Sequence, residues 1–367
     1  MKRRRVLWVI SSLSAGGAER MISELANAFA ERGHDVAVLT LSESGSDHYR
    51  LSESVERIAL NAIWDSRTPW QSLVGNWRRS QMIRHAVQKY IPDVVVSFID
   101  QNNVRVLAAL PGSGVPVIVS ERTDPRRHIV GRIWNVVRRL LYPFATRIVV
   151  QTDAVAGWAR RVARSKCVCV IPNFVRTLPP PVPSVARQTK AILAVGRLGR
   201  EKGFDVLLQA FGQSGMAAQG IRLTVLGEGP ERQRLESLAD ELGLAHAVKM
   251  LGVVPDPESW MAQTTVFVMP SRYEGFPNAL LEAMAMGCPV IAADCDSGPG
   301  EIIQHGKNGW LVPVEDVGAL ATALRLFFDE ESLRSRCSRE AVKVREIYSK
   351  TVIVGQWENL IEEVVKK

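Results

Sequence analysis

Two series of short apolar runs alternate with stretches of helical period along this chain, and a proline cluster separates them. In the first series, runs at 6–10, 35–40, 94–99, 117–120, 148–151 and 168–171 have the character of buried parallel strands. Helical periodicity lies between them at 19–32, 70–90, 102–110, 127–142 and 153–163. The cluster Leu178-Pro179-Pro180-Pro181-Val182-Pro183 suits neither a helix nor a sheet interior. Beyond it the alternation restarts, with strands at 191–195, 222–226, 248–251, 266–269 and 289–292. Helices are expected at 203–212, 230–242, 257–263, 277–287, 316–329 and 331–347. Such repetition means a parallel sheet covered on both faces. The expected fold is α/β: two Rossmann-like, doubly wound parallel-sheet domains facing a central cleft. Residues 1–175 form the first, 176–188 the linker and 189–348 the second. An amphipathic segment, 349–367, crosses back to brace the first.

A chain of 367 residues is comfortable for two domains. No apolar run reaches the ~18 residues of a spanning helix. The start, Met1-Lys2-Arg3-Arg4-Arg5, leads into an apolar stretch, but Ser-Leu-Ser and Gly-Gly follow without a cleavage pattern, so the stretch is a first strand rather than a signal peptide. Cys167, Cys169, Cys288, Cys295 and Cys337 lack metal-ligand spacing and suit a reducing compartment. The expected location is cytoplasmic, peripheral at the inner face of the plasma membrane. Charge is lopsided: residues 1–175 hold 25 Lys+Arg against 14 Asp+Glu, the remainder 21 against 24. A basic first half suggests an anionic partner. The run from Arg126 and Arg127 to Tyr142 is basic and amphipathic, so it suits an anionic membrane surface or a packed helix with a basic solvent face. No nucleic-acid motif accompanies the charge.

The stretch from Ser271 to Gly287 carries the most chemistry. Glu274 and Glu282 flank a Gly275-Phe276-Pro277-Asn278 turn and a helix start. The amides of Gly275 and Phe276 precede the helix with nothing inside it to bond, which makes an anion site fit for a diphosphate. Glu282, more than one turn in, lies within reach of vicinal hydroxyls, and Glu274 within reach of a second polyol. A cradle for an anion between two such carboxylates describes a pocket for a nucleotide sugar.

Other strand ends add to it. Gly196-Arg197 and Lys202-Gly203 bracket a loop whose guanidinium and ammonium suit a diphosphate or a solvated basic surface. Gly227-Glu228-Gly229 starts like a dinucleotide fingerprint, but Arg232 stands where the third glycine belongs. A tight turn lining a base pocket, with Val253 nearby, is the expectation. Gly16-Gly17 at a helix start allows close ligand approach or makes an ordinary strand-to-helix turn.

Together these residues resemble the retaining glycosyltransferases of family 4, which have the two-domain GT-B fold, over nearly the whole chain. The Glu274-to-Glu282 element is the most specific part. Gly196, Arg197, Glu201, Lys202 and Gly203, with Gly16, Gly17 and Arg32-Gly33-His34, support it. The resemblance implies that Arg197 and Lys202 bind the donor diphosphate, Glu282 the ribose and Glu274 the transferred sugar. The Gly275 and Phe276 amides would hold phosphate or sugar. Ser120-Glu121-Arg122-Thr123-Asp124-Pro125 and Ser297-Gly298-Pro299-Gly300-Glu301 look like the subgroup that extends polyprenyl-diphosphate-linked glycans and exopolysaccharides. Many members carry a His in the loop after the strand at 117–120, where this chain has Glu121-Arg122. Glu121, Arg122, Arg126 and Arg127 are the expected acceptor contacts.

The implied reaction is metal-independent transfer, with retention, of an N-acetylhexosamine or hexose from a UDP-sugar to a glycan or lipid-linked acceptor. The nucleotide sugar is a co-substrate and no cofactor is expected. Asp294-Cys295-Asp296 is an Asp-x-Asp pair of the kind that holds Mn²⁺ or Mg²⁺ elsewhere; with basic groups serving the diphosphate, a plain loop pair is expected. Tandem Rossmann units also suit a nucleotide-dependent oxidoreductase, against which the missing third glycine argues. A non-catalytic sugar-nucleotide-binding subunit is disfavoured by the intact Arg197, Lys202, Glu274 and Glu282.

Overall fold

A computed structural model describes residues 2–63, 69–127, 131–163, 167–183 and 190–366. The chain divides into two compact units, residues 1–173 with 353–367, and residues 174–352.

The first unit runs β1 (Arg5–Ile10), α1 (Gly17–Glu31), β2 (Asp35–Thr40), β3 (Val55–Ala59), α2 (Pro69–Tyr90), β4 (Val94–Phe98), α3 (Asp100–Ala109), β5 (Val117–Ser120), α4 (Arg132–Leu141), β6 (Arg147–Val150), α5 (Asp153–Val162) and β7 (Val168–Val170). Its seven strands are parallel in the order β3-β2-β1-β4-β5-β6-β7. β1 and β4 are buried almost throughout, which explains their unbroken apolar runs. β3 was not expected: it is an edge strand whose Glu56 is exposed, so it carries no buried run. The helix expected at 127–142 begins only at Arg132; residues 128–130 lie outside the described ones.

The second unit contains β8 (Ala191–Val195), α6 (Phe204–Ser214), β9 (Arg222–Leu226), α7 (Arg232–Glu241), β10 (Val248–Met250), α8 (Pro257–Gln263), β11 (Val266–Met269), α9 (Asn278–Ala285), β12 (Val290–Ala293), α10 (Pro299–Ile302), β13 (Trp310–Val312), α11 (Val317–Asp329), α12 (Glu331–Ala341) and α13 (Val344–Ile347), and α14 (Lys350–Val365) follows. Its six strands are parallel in the order β10-β9-β8-β11-β12-β13. β13 and the single-turn α10 are each too short to show a period in the sequence. The helix expected at 331–347 is broken into α12 and α13. Residues 176–183 of the proline segment pack on this unit: the Val182 amide donates to the Met286 carbonyl at 3.1 Å, and Arg345 to the Pro179 carbonyl. Residues 184–188 of that segment lie outside the described ones.

From Ile353 onward α14 belongs to the first unit. Trp357 is buried against Trp8 (ring centroids 5.6 Å) and Phe98 (5.8 Å), contacts worth about 1 kcal/mol each beyond area burial. The Arg32-Gly33-His34 motif turns out to anchor this helix. The Arg4 amide donates to His34 Nδ1 at 3.2 Å, which leaves Nε2 to donate to Glu358 at 3.2 Å; Arg32 pairs with the same carboxylate. Arg4 pairs with Glu362 at 2.7 Å. Among the described residues no helix is long and apolar enough to cross a membrane.

Candidate active site

In an open parallel sheet, ligands bind beyond the carboxyl ends of the strands where the strand order reverses. In the second unit that point falls between β8 and β11. The loop after β8 carries Gly196 to Gly203, and the loop after β11 carries Ser271 to Pro277. The backbone brings these loops together at glycines no other residue can replace. Gly203 has φ 65°, and a Cβ there would sit 2.1 Å from the Pro270 carbonyl oxygen. Gly227, at the end of β9, has φ 141°, and its Cβ would sit 1.9 Å from the Gly196 carbonyl oxygen. Arg272 fastens the loops further. Its amide donates to the Glu201 carbonyl at 2.8 Å, and its guanidinium reaches Asp205 at 2.9 Å and Glu315 at 2.7 Å.

The result is a direct contact between two predicted site residues. Lys202 Nζ lies 2.7 Å from Glu274 Oε1, and Ser271 Oγ donates to the same oxygen at 2.7 Å. Ser297 Oγ donates to the Glu274 carbonyl at 2.5 Å. Glu274 is thus held by side chain and backbone from three strand ends. The amides of Gly275 and Phe276 donate to no acceptor among the described residues. Pro277 caps α9, and Gly287, at φ 70°, follows its end. Glu282, in the second turn of α9, is nearly buried and lies 3.5 Å from Arg176, which also pairs with Glu258 at 2.6 Å. Asn278 opens the helix.

Arg197 is not drawn into this contact. Its side chain is 67% exposed and pairs with Glu201 at 2.6 Å within its own loop. Gly196 lies against the Lys202 stem, where a Cβ would meet Cδ at 3.4 Å. Val253 is exposed, just past the Gly227–Gly252 bridge. Arg232, at the missing third glycine, pairs with Glu228 and Glu236 at 2.8 Å each. Asp294 and Asp296 are exposed, while burial and the Glu274 charge push the intervening Cys295 thiol up to about 12, leaving it inert. Residues missed by sequence reading are Ser271, Ser297 and Arg176. The first two lie in motifs singled out for other members; nothing local marks Arg176.

In the first unit Gly16 caps α1 in extended conformation. Glu19 folds over that helix start, 2.2 Å from where a Gly16 Cβ would be, and burial raises its carboxyl. The loop after β5 departs from expectation. Glu121, expected to meet an acceptor, has no exposed side-chain surface: Oε1 accepts from the Tyr142 hydroxyl and, at 3.5 Å, from Arg138. Burial pushes its carboxyl up to about 7, partly offset by Arg138, and Oε2 has no hydrogen-bond partner among the described residues. Arg122 is also buried, stacked on Phe98 at 4.4 Å and bound to Asn173; desolvation lowers it to about 9. Arg126 and Arg127 are exposed, Arg126 against Asp124 at 2.7 Å.

The second of the two Rossmann-like units thus sets two amides without an acceptor among the described residues beside the Lys202–Glu274 contact and the nearly buried Glu282. Comparison with known proteins agrees. Residues 16–174 match the model "Glycosyl transferase 4-like domain" and residues 181–344 match "Glycosyl transferases group 1". A relative from Campylobacter jejuni is 27% identical over 98% of this chain and 99% of its own. It is named GalNAc-alpha-(1->4)-GalNAc-alpha-(1->3)-diNAcBac-PP-undecaprenol alpha-1,4-N-acetyl-D-galactosaminyltransferase. Among solved structures, sucrose-phosphate synthase from Thermosynechococcus elongatus superposes with TM-score 0.84 at 20% identity, covering 99% of each chain. HepE from Anabaena, in complex with UDP, superposes with TM-score 0.80 at 19% identity, covering 98% of this chain and 100% of its own. The chain belongs to the family 4 glycosyltransferases of GT-B fold. It is a glycosyltransferase.

Proposed function

We propose that this enzyme moves a hexose or N-acetylhexosamine from a UDP-sugar to a polyprenyl-diphosphate-linked saccharide or glycan, with retention and without a metal ion, at an anionic membrane surface. The observation that carries the reading is the Lys202–Glu274 contact at the strand-order reversal, beside the two unpaired amides of Gly275 and Phe276. Lys202, Arg197 and those amides supply positive charge where the nucleoside diphosphate departs. Ser271 and Lys202 hold the Glu274 carboxylate oriented toward the transferred sugar. Glu282 takes the ribose hydroxyls, with Arg176 steadying it from the side. The acceptor hydroxyl attacks the anomeric carbon on the face the diphosphate leaves, and its proton passes to the departing phosphate oxygen. The Campylobacter jejuni relative is named for an undecaprenol-diphosphate acceptor, and HepE was solved with UDP; both support the substrate classes.

The test is a panel of UDP- and GDP-sugars offered with a polyprenyl-diphosphate disaccharide, with and without EDTA, and NMR of the new anomeric linkage. Expected are UDP release, an α-linkage from an α-donor, and indifference to EDTA. A protein that turns over no nucleotide sugar, yet is stabilised by NAD in thermal shift, overturns the proposal.

A further inference from the structure

Helix α4 turns an apolar stripe to solvent. Ile133, Val136 and Leu140 are 77%, 57% and 64% exposed, and Phe144, just past the helix end, is 76% exposed. Their spacing of three, four and four places them in one row. The stripe is not a core face lacking its partner, because the inward side of α4 is already packed. Trp134 lies under Arg105 at 5.3 Å, Arg138 stacks on Trp158 at 4.8 Å, and Tyr142 is fully buried. Single exposed apolar residues are ordinary, but a row of three on one helix continued by a fourth just past its end marks an interaction surface.

Charge identifies what the surface meets. No Asp or Glu occurs between Asp124 and Asp153, while six arginines do: Arg126, Arg127, Arg132, Arg138, Arg139 and Arg147. Arg139 is exposed, one position before Leu140. Arg160 and Arg161 are exposed on α5, whose Trp158 packs on α4. Trp77, 63% exposed, follows Asn76, which accepts from the Arg105 that lies over Trp134. An apolar row in an acid-free, arginine-rich setting with an exposed Trp complements anionic lipid headgroups over hydrocarbon.

We propose that α4 docks this enzyme on an anionic bilayer, lying in the plane of the interface with Ile133, Val136, Leu140 and Phe144 immersed. The inference rests on the lipid-linked acceptor reading for its purpose, not for its evidence. It also gives the buried Glu121 a task. Its bonds to Arg138 and Tyr142 fasten the docked helix to the strand-end loop that bears Arg122.

The test is co-sedimentation of the full chain with phosphatidylcholine vesicles, plain or containing about 30% phosphatidylglycerol. The wild type is expected to bind only the anionic vesicles, and less as salt rises. The double variant Ile133→Asp/Leu140→Asp is expected to lower that binding roughly tenfold or more, with an unchanged melting temperature because both sites are exposed. Equal binding by the variant, or no preference of the wild type for anionic vesicles, overturns the proposal. So does a wild-type dimer that the variant dissociates, which would assign the stripe to a second copy. Transfer to a water-soluble acceptor, measured alongside, separates the two readings: docking without transfer sinks the proposed reaction alone, and transfer without docking sinks this inference alone.

Discussion

Both units bring charged residues to the carboxyl ends of their strands, yet they treat them oppositely. In the second unit Lys202 keeps 24% of its side chain exposed against a Glu274 held from three strand ends, and two amides beside it have no acceptor among the described residues. In the first unit Glu121, Arg122 and Arg138 are sunk into the fold and spent on Tyr142, Asn173 and aromatic faces. Donors left without an acceptor among the described residues, around a partly solvated charge, are what the proposed diphosphate site requires. A buried carboxylate already bonded to its own chain positions its neighbours instead. Charged side chains at a strand end do not by themselves make a contact surface; what they bind in the free protein decides.

The largest effect expected is at Lys202. On the proposed reaction, Lys202→Ala removes the ammonium from the leaving diphosphate and leaves the Glu274 carboxylate beside Ser271 alone. Turnover is expected to fall roughly a hundred- to a thousandfold, the usual scale for losing one preorganised donor. Steady-state UDP release measures it. A Lys202→Ala enzyme of ordinary kcat would break the contrast on the side of the second unit.

Next comes a break on the side of the first unit. Folding raises the Glu121 carboxyl from an ordinary value near 4.5 to about 7, mainly by burial. Between those values the folded chain binds more protons than the unfolded one, so stability falls as pH rises through the window. From pH 5 to pH 8 the loss should be roughly 2–3 kcal/mol at about 1.4 kcal/mol per pKa step. Glu121→Gln keeps the shape and cannot ionise, so its urea-unfolding free energy should lack that component. Parallel pH profiles for the two proteins would show that Glu121 does not titrate there, and that the first unit's loop is no buried network.

How far the sequence discloses this arrangement depends on length scale. Strands β8, β9 and β11 lie where their apolar runs placed them, because burial on both faces leaves a continuous run. β3 is not legible for the converse reason, since an edge strand keeps polar residues such as Glu56 and Arg57. Glu274, Glu282 and Lys202 could be named from local motifs, but the Lys202–Glu274 bond spans 72 positions and follows only from the strand order. Glu121 reads as an acceptor contact because its loop position is legible in the sequence, whereas its partners Arg138 and Tyr142, 17 and 21 positions on, are not.

The smallest expected effect sharpens the comparison within the second unit itself. Glu282 resembles Glu121 in burial but faces Arg176, at 3.5 Å, and through it Glu258. If Glu282 serves the ribose, Glu282→Ala should raise the Kd for UDP roughly tenfold, about 1.4 kcal/mol, with a smaller change in kcat for bound donor. If it serves only to hold Arg176, the variant should lose melting temperature and bind UDP as before. Calorimetric titration of UDP beside a thermal melt separates the two outcomes. Glu282→Gln refines the result: an amide still bonds a hydroxyl, so UDP affinity should recover in part, whereas an ion-pair role recovers nothing once the charge is gone. An affinity insensitive to both substitutions would move Glu282 from the site to the fold, where Glu121 already belongs.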